Sequence, residues 1–142
     1  QVMSLNGTRE GLYNAGMALC PETKGGGQPA VLMPNPFYQV YMISAMSVEA
    51  EPVFVPATDA TGHLPDYASL PDEVLNRAAL CYICSPANPQ GAVADRGYWE
   101  RLIELAERRP ATLDGFAGIH GIGQAKLEKF GERFLAVINK AA

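Results

Sequence analysis

Leu80-Cys81-Tyr82-Ile83-Cys84 is an unbroken apolar run, and turn formers follow it directly: Ser85-Pro86-Ala87-Asn88-Pro89-Gln90-Gly91. A run this short, apolar at consecutive rather than alternate positions, predicts a strand buried on both faces, the pattern of a parallel sheet. Pro86 and Pro89 lack the N–H that a ladder needs, so the strand stops before them. Gly91 ends the loop. Asn88 is thereby placed just past the carboxyl end of a parallel strand, where open α/β sheets hold ligands. The plainer alternative is a strand followed by an ordinary Pro/Asn/Gly turn.

A parallel sheet dictates the rest of the chain, because its strands are joined by crossovers and not by hairpins. Gln1 to Leu5 reads as a first strand. Asn6-Gly7-Thr8 turns into a helix, with Thr8 as N-cap and Glu10 in the first turn, where an acid suits the helix dipole. That helix runs to about Leu19, with Leu12, Ala15, Gly16 and Leu19 on one face. A strand, a glycine turn and a helix N-terminus offer free backbone N–H groups to an anion; the alternative is a plain strand–turn–helix. Lys24-Gly25-Gly26-Gly27 lacks the G-x-x-x-x-G-K-[ST] pattern, so it is no P-loop. Ala30 to Met33 is a second strand, ended by Pro34-Asn35-Pro36, and a helix is expected from about Tyr38 to Val48. Phe37, Tyr38 and Tyr41 are candidate core aromatics of that helix. Pro52 to Val55 is a third strand, and Pro71 opens a short helix. The opening run is the fourth strand. Asp95 caps a helix whose inner face carries Trp99, Leu102, Ile103 and Ala106.

Strands alternating with helices predict right-handed crossovers and a mainly parallel sheet of about four strands. The fold class expected is α/β: a truncated three-layer α/β/α sandwich with a C-terminal helical segment.

A chain of 142 residues, 48% hydrophobic, can bury one core. Its formal charge of −4 argues against nucleic acid as partner of the whole molecule. Residues 1–107 carry 5 basic and 12 acidic side chains, and residues 108–142 carry 6 and 3. That asymmetry, net −7 against +3, marks a junction of two sequences. Cys81 and Cys84 form a C-x-x-C inside the expected strand; positions i and i+3 point to opposite faces and cannot clamp one metal. With Cys20 they read as small buried hydrophobes, and no metal site is legible. No apolar run approaches the roughly 20 residues of a membrane span, and no signal-peptide pattern is present. A cytoplasmic, reducing setting is expected. A start at Gln1 is expected of a fragment.

Three segments together carry a resemblance. Ser85-Pro-Ala-Asn-Pro-Gln-Gly91 resembles the S-P-x-N-P-T-G loop of class I/II, fold-type I aminotransferases that depend on pyridoxal phosphate, with Gln90 where Thr is usual. Asn6-Gly7-Thr8-Arg9-Glu10-Gly11-Leu12 resembles the family's phosphate-cup segment, and Pro34-Asn35-Pro36-Phe37-Tyr38-Gln39-Val40-Tyr41 its P-x-Y-x-x-Y segment. Their order and spacing are the family's. Glu51-Pro-Val-Phe-Val55 and Gly91-Ala-Val93 bring the likeness nearest to succinyldiaminopimelate transaminases. It runs from about Val2 to Glu107. The resemblance implies phosphate contacts at Gly7, Thr8 and Arg9, ring stacking on Tyr38, and a contact from Asn88 to the cofactor hydroxyl. It also implies a homodimer and, with the family's absent strands removed, a strand order of third, second, fourth, first.

The family's later landmarks, a D-E-x-Y strand end and an S-x-x-K bearing the Schiff-base lysine, do not follow. Lys24, Lys126, Lys129 and Lys140 stand in other contexts, so catalysis is expected to be absent. Instead, Thr112-Leu113, Ile119-His-Gly-Ile-Gly123, Lys126-Leu127, Phe130-Gly131 and Phe134-Leu135 resemble the end of an HRDC domain, the helicase and RNase D C-terminal module. Residues 1–107 then form a partial aminotransferase large domain. Residues 108–142 form a partial HRDC helical segment, expected to pack on the first part as one unit. The join falls in the helix ending Leu105-Ala106-Glu107-Arg108-Arg109-Pro110. An engineered chimera, a recombination product and a natural fusion are all open. The tail resemblance implies weak binding of single-stranded DNA, with Gly121, Gly123, Lys126 and Lys129 on phosphates. Two solvated lysines on a packing helix are the alternative. A third reading is a folded chimera without native function, in which Phe116, Phe130 and Phe134 cover exposed sheet.

Overall fold

The structure, a computed structural model, describes residues 4–107. The chain divides after Asp95 into two units. The first contains α1 (Thr8–Leu19), β1 (Ala30–Asn35), α2 (Gln39–Ser47), β2 (Glu51–Pro56), α3 (Asp72–Arg77) and β3 (Ala78–Cys81), with 3-10 turns at Asp59–Thr61 and Tyr67–Ser69. In the second, the described element is α4 (Arg96–Glu107).

The sheet is parallel throughout, in the order β2-β1-β3. Ala30 lies opposite Glu51 and Asn35 opposite Pro56; on the other flank, Val31 meets Leu80 and Leu32 meets Cys81. The third–second–fourth part of the expected strand order is therefore observed. The sheet has three strands among the described residues, not about four. Of the expected first strand, residues 1–3 lie outside the described residues, and Ser4 and Leu5 are not in a strand. The reason is local: the Asn6 N–H donates to the Glu10 carboxylate at 3.1 Å, and the Leu5 side chain lies over Gly11, so this segment folds back onto α1.

Burial corrects a second expectation. The strand covered on both faces is β1, not the run at Leu80. Val31 and Met33 point into the main cluster, while Ala30 and Leu32 point the other way and are buried too. β3 is only half-buried and ends at Cys81, three residues earlier than expected. Its one ladder partner is β1, and Tyr82 N–H still donates to the Leu32 carbonyl (2.9 Å) before the chain turns away. Pro34 sits within the central strand without disrupting it. The β3 ladder has already ended at Leu32, so the flank of Pro34 that lacks a neighbour is the one that needs no donor.

The main cluster joins Val31 and Met33 to Tyr41, Ala45, Ala50 and Tyr82. Leu12 of α1 and Met42 of α2 pack against it, so both helices cover the same sheet face. Gly16 lets them approach: a β-carbon there would overlap the Ser44 hydroxyl. Ser44 is fully buried and satisfied, donating to the Tyr13 carbonyl (2.7 Å) and accepting from the Tyr82 hydroxyl (3.1 Å).

Some helix boundaries shift from expectation. Gly7, not Thr8, is the N-cap of α1, with φ 151° and ψ 158°, a region open only to glycine. Tyr38 is the N-cap of α2 and Pro71 that of α3. Leu19, expected on the inner face of α1, is 63% exposed, and in α4 Trp99 and Ile103 are exposed. Among the described residues, no helix is long and apolar enough to cross a membrane.

Candidate functional site

The N-termini of α1 and α2 meet at a cavity of about 480 Å³, lined by Asn6, Gly7, Arg9, Glu10, Tyr13, Val40 and Ile43. Residues of the α1 start and of α2 line it together, and the surface it presents is almost wholly apolar. The first helical bond of α1 runs from the Gly11 N–H to the Gly7 carbonyl (3.3 Å). The amides of Thr8, Arg9 and Glu10 therefore precede any helical acceptor and project from the helix start. Nothing lies within 4 Å of the position a Gly7 β-carbon would take, so it is the backbone angle, not crowding, that requires glycine here.

Arg9 reaches across to Tyr38. Its Nε–H donates to the Tyr38 hydroxyl at 2.7 Å, and its guanidinium carbon lies 5.8 Å from the ring centroid. These residues are 29 positions apart in sequence. Behind Tyr38 runs an aromatic ladder: Tyr41 meets it edge-on at 5.7 Å, and Tyr82 stacks on Tyr41 at 4.3 Å with an interplanar angle of 11°. The Tyr82 hydroxyl donates to the Leu12 carbonyl (2.5 Å), which ties the ladder back to α1. Burial, and then the neighbouring Cys84, Tyr82 and Tyr38 groups, push the Tyr41 phenol above its ordinary range, so it stays neutral.

The five residues singled out from the sequence divide into two places. Gly7, Thr8 and Arg9 follow one another at the start of α1, and Arg9 meets Tyr38 at the start of α2. Asn88 is an exposed residue of the loop after β3, and no side-chain hydrogen bond among the described residues ties it to the other four. That loop is closed by Gly91 N–H to Ala87 O (2.6 Å) and Ala87 N–H to Ala92 O (2.7 Å), with Gly91 at φ 76°. The Ser85 hydroxyl accepts from the Ala94 N–H (3.0 Å). The peptides before Pro36, Pro86 and Pro89 are cis.

Two contributors were not singled out from the sequence as site residues. Glu10 lines the cavity and spends its carboxylate on the Asn6 N–H, which places a negative charge beside Arg9. Tyr82 anchors the ladder; its place inside the apolar run hid a polar tip that needs partners. The candidates Gly121, Gly123, Lys126 and Lys129 lie outside the described residues, as do Phe116, Phe130 and Phe134.

The cysteines carry no site. Cys84 lies beyond the end of β3, with its thiol 3.2 Å from the Pro86 carbonyl, so the opposite-face argument does not apply to it. Burial pushes the Cys81 thiol up to about 12, against a smaller lowering by the Tyr67 hydroxyl. A thiol held protonated in this way is a poor nucleophile and a poor metal ligand. Burial also raises Cys20, partly offset by Lys24. All three half-buried cysteines are free. Among the described residues, no three His, Cys, Asp or Glu are grouped to hold a metal.

Comparison with known proteins gives two matches along the chain. The family "Aminotransferase class I and II" matches residues 1–113, and the HRDC domain matches residues 100–138. The LL-diaminopimelate aminotransferase of Moorella thermoacetica is 39% identical over 106 residues, covering 75% of this chain and 26% of that protein. Among solved structures, an aminotransferase from Neisseria meningitidis superposes with a TM-score of 0.65 at 33% identity, covering 72% of this chain and 25% of the other. A probable N-succinyldiaminopimelate aminotransferase from Thermus thermophilus does so with a TM-score of 0.62 at 29% identity, covering 72% and 26%. The chain thus spans about a quarter of the length of the relatives it matches.

Proposed function

Because the chain belongs to the aminotransferase class I and II family, we propose that its first unit carries half of a pyridoxal phosphate site and that these 142 residues do not by themselves catalyse amino transfer. Members of the family depend on pyridoxal phosphate and are typically dimers. The observation that carries the reading is the meeting of two helix starts, where Arg9 donates to Tyr38 across 29 residues. Gly7, Thr8 and Arg9 hold the phosphate through amide N–H groups and the guanidinium. Tyr38 presents an aromatic ring to the flat heterocycle. Asn88, on its loop past the sheet, contacts the ring hydroxyl. Glu10 opposes a second anion and limits the site to a well-paired one. When bound, the cofactor supplies the electron sink that amino-group transfer needs. Its covalent anchor is a lysine, and no S-x-x-K occurs in these residues. We place the change of parentage at residues 107–108, in the stretch where the two family matches overlap. It makes the chain a chimera.

Titration with pyridoxal phosphate, followed by borohydride reduction and intact mass, tests this reading. Saturable binding without a covalent adduct and without amino transfer is expected. Absence of saturable binding overturns the half-site. A single-lysine adduct or turnover of amino acid and 2-oxo acid overturns the claim of inactivity.

The HRDC match favours a second reading, weak binding of single-stranded DNA by the tail through Gly121, Gly123, Lys126 and Lys129. Phosphate neutralisation by a few lysines gives an affinity that falls steeply with salt. A labelled single strand should shift at low salt and be released by about 200 mM; a shift insensitive to salt, or none, removes this reading.

A further inference from the structure

We infer that Arg9 is a bridge between the two ends of the candidate cofactor site, coupling anion binding at the start of α1 to the position of the Tyr38 ring. The inference rests on the reading of residues 7–9 as the phosphate end, and goes beyond it by making Tyr38 part of the anion site.

Arginine has five N–H donors in a fixed plane. Arg9 spends one of them, Nε–H, on the Tyr38 hydroxyl at 2.7 Å. The four N–H groups on Nη1 and Nη2 form the outer fork, the part that engages a phosphate bidentately. Because the guanidinium is rigid, fixing Nε fixes the direction of that fork. The same group lies 5.8 Å from the ring centroid, so the ring and the guanidinium restrain one another by two contacts. Tyr38 is in turn set by Tyr41 and, through it, by Tyr82, whose hydroxyl bonds to the Leu12 carbonyl and Ser44. The fork is thus referenced to the core through a chain of rings, although Arg9 itself is an exposed side chain. An exposed arginine held only by solvent would lose side-chain entropy on binding an anion; a pre-oriented one loses less. Ring and anion then bind cooperatively, because each orders the same side chain.

Tyr38→Phe separates the bridge from stacking, since it removes the hydroxyl and keeps the ring. The probe is inorganic phosphate, which has no ring to stack. On the full chain, Tyr38→Phe should weaken inorganic phosphate about three- to tenfold, the equivalent of one net hydrogen bond. Arg9→Lys keeps the charge but has no Nε–H and no fork; adding Tyr38→Phe to it should cost phosphate nothing further. In the ligand-free chain, the Arg9 Nε–H resonance should shift on Tyr38→Phe. Unchanged phosphate affinity in Tyr38→Phe, with wild-type binding intact, overturns this inference alone, as does an unmoved Nε–H resonance. No saturable phosphate binding by the wild-type chain overturns the phosphate reading, and the bridge with it.

Discussion

Gly16→Val should lower the unfolding free energy by at least about 2 kcal/mol, a large share of the 5–15 kcal/mol typical of a domain. Gly16 is the buried point where α1 crosses α2, and a β-carbon there would overlap the Ser44 hydroxyl. The overlap has no easy relief. Ser44 is fully buried, and its hydroxyl is already committed to the Tyr13 carbonyl and the Tyr82 hydroxyl. Turning it away would break both contacts, and moving the helix apart would open the cluster around Tyr41 and Ala45. Valine's better helix propensity returns only about half a kcal/mol. In urea, the midpoint should fall while the slope stays constant. An unchanged midpoint would mean the helices do not cross at this distance. Gly16→Ala with Ser44→Ala should recover part of the loss, because it removes the hydroxyl that is struck.

Tyr82→Ala should cost about 3–5 kcal/mol, and Tyr82→Phe about 1–2 kcal/mol. Tyr82 is 5% exposed, stacks on Tyr41, and sends its hydroxyl to α1 and α2 at once. Alanine removes the ring and leaves a cavity beneath Tyr41. Phenylalanine keeps the packing and removes the contacts of the hydroxyl with the Leu12 carbonyl and Ser44. The difference between the two variants separates ring from hydroxyl, and thermal or urea unfolding reads both. Equal losses would mean that packing around Tyr82 is incidental to its role. Since Tyr41 stands between Tyr82 and Tyr38, Tyr82→Ala should also loosen the candidate site.

The parallel sheet and the helix after Gly7 were legible because each rests on local signals: short apolar runs, Pro and Gly stops, and 3.6-residue spacing; the strand order came from the family resemblance instead. The burial of β3 was not. Leu80 to Cys84 is as apolar as a central strand, yet the strand found in the middle is Ala30–Asn35. Periodicity cannot tell which of two apolar runs has neighbours on both sides, because that depends on contacts distant in sequence. Pro34 shows the same limit: a proline argues against a central strand until the register reveals that its flank is unpaired.

Gly7, Thr8, Arg9 and Tyr38 were named through the family resemblance, and the contact that joins Arg9 to Tyr38 was not legible. The Arg9–Tyr38 hydrogen bond exists only because α1 and α2 lie side by side, which depends on Gly16 opposite Ser44. Asn88 was placed correctly past a strand end, and its separation from the other four depends on loop conformation, which turn signals leave open. Glu10 was read only as a favourable charge for the helix dipole; its bond to the Asn6 amide was a matter of side-chain reach.

The sheet register also sets a schedule for assembly. Ala30 and Glu51 are 21 residues apart, but Val31 and Leu80 are 49 apart. By loop-closure entropy alone, the second closure costs about 0.7 kcal/mol more than the first, and on a ribosome its partner emerges later. The β1–α2–β2 unit can close while the other flank of β1 is still open. For that interval the most buried of the described strands offers an unpaired edge to any neighbouring chain, the condition under which nascent sheets associate wrongly. The segment from Ala57 to Arg77, which looks like mere connection in the finished molecule, is the length of time for which that edge waits.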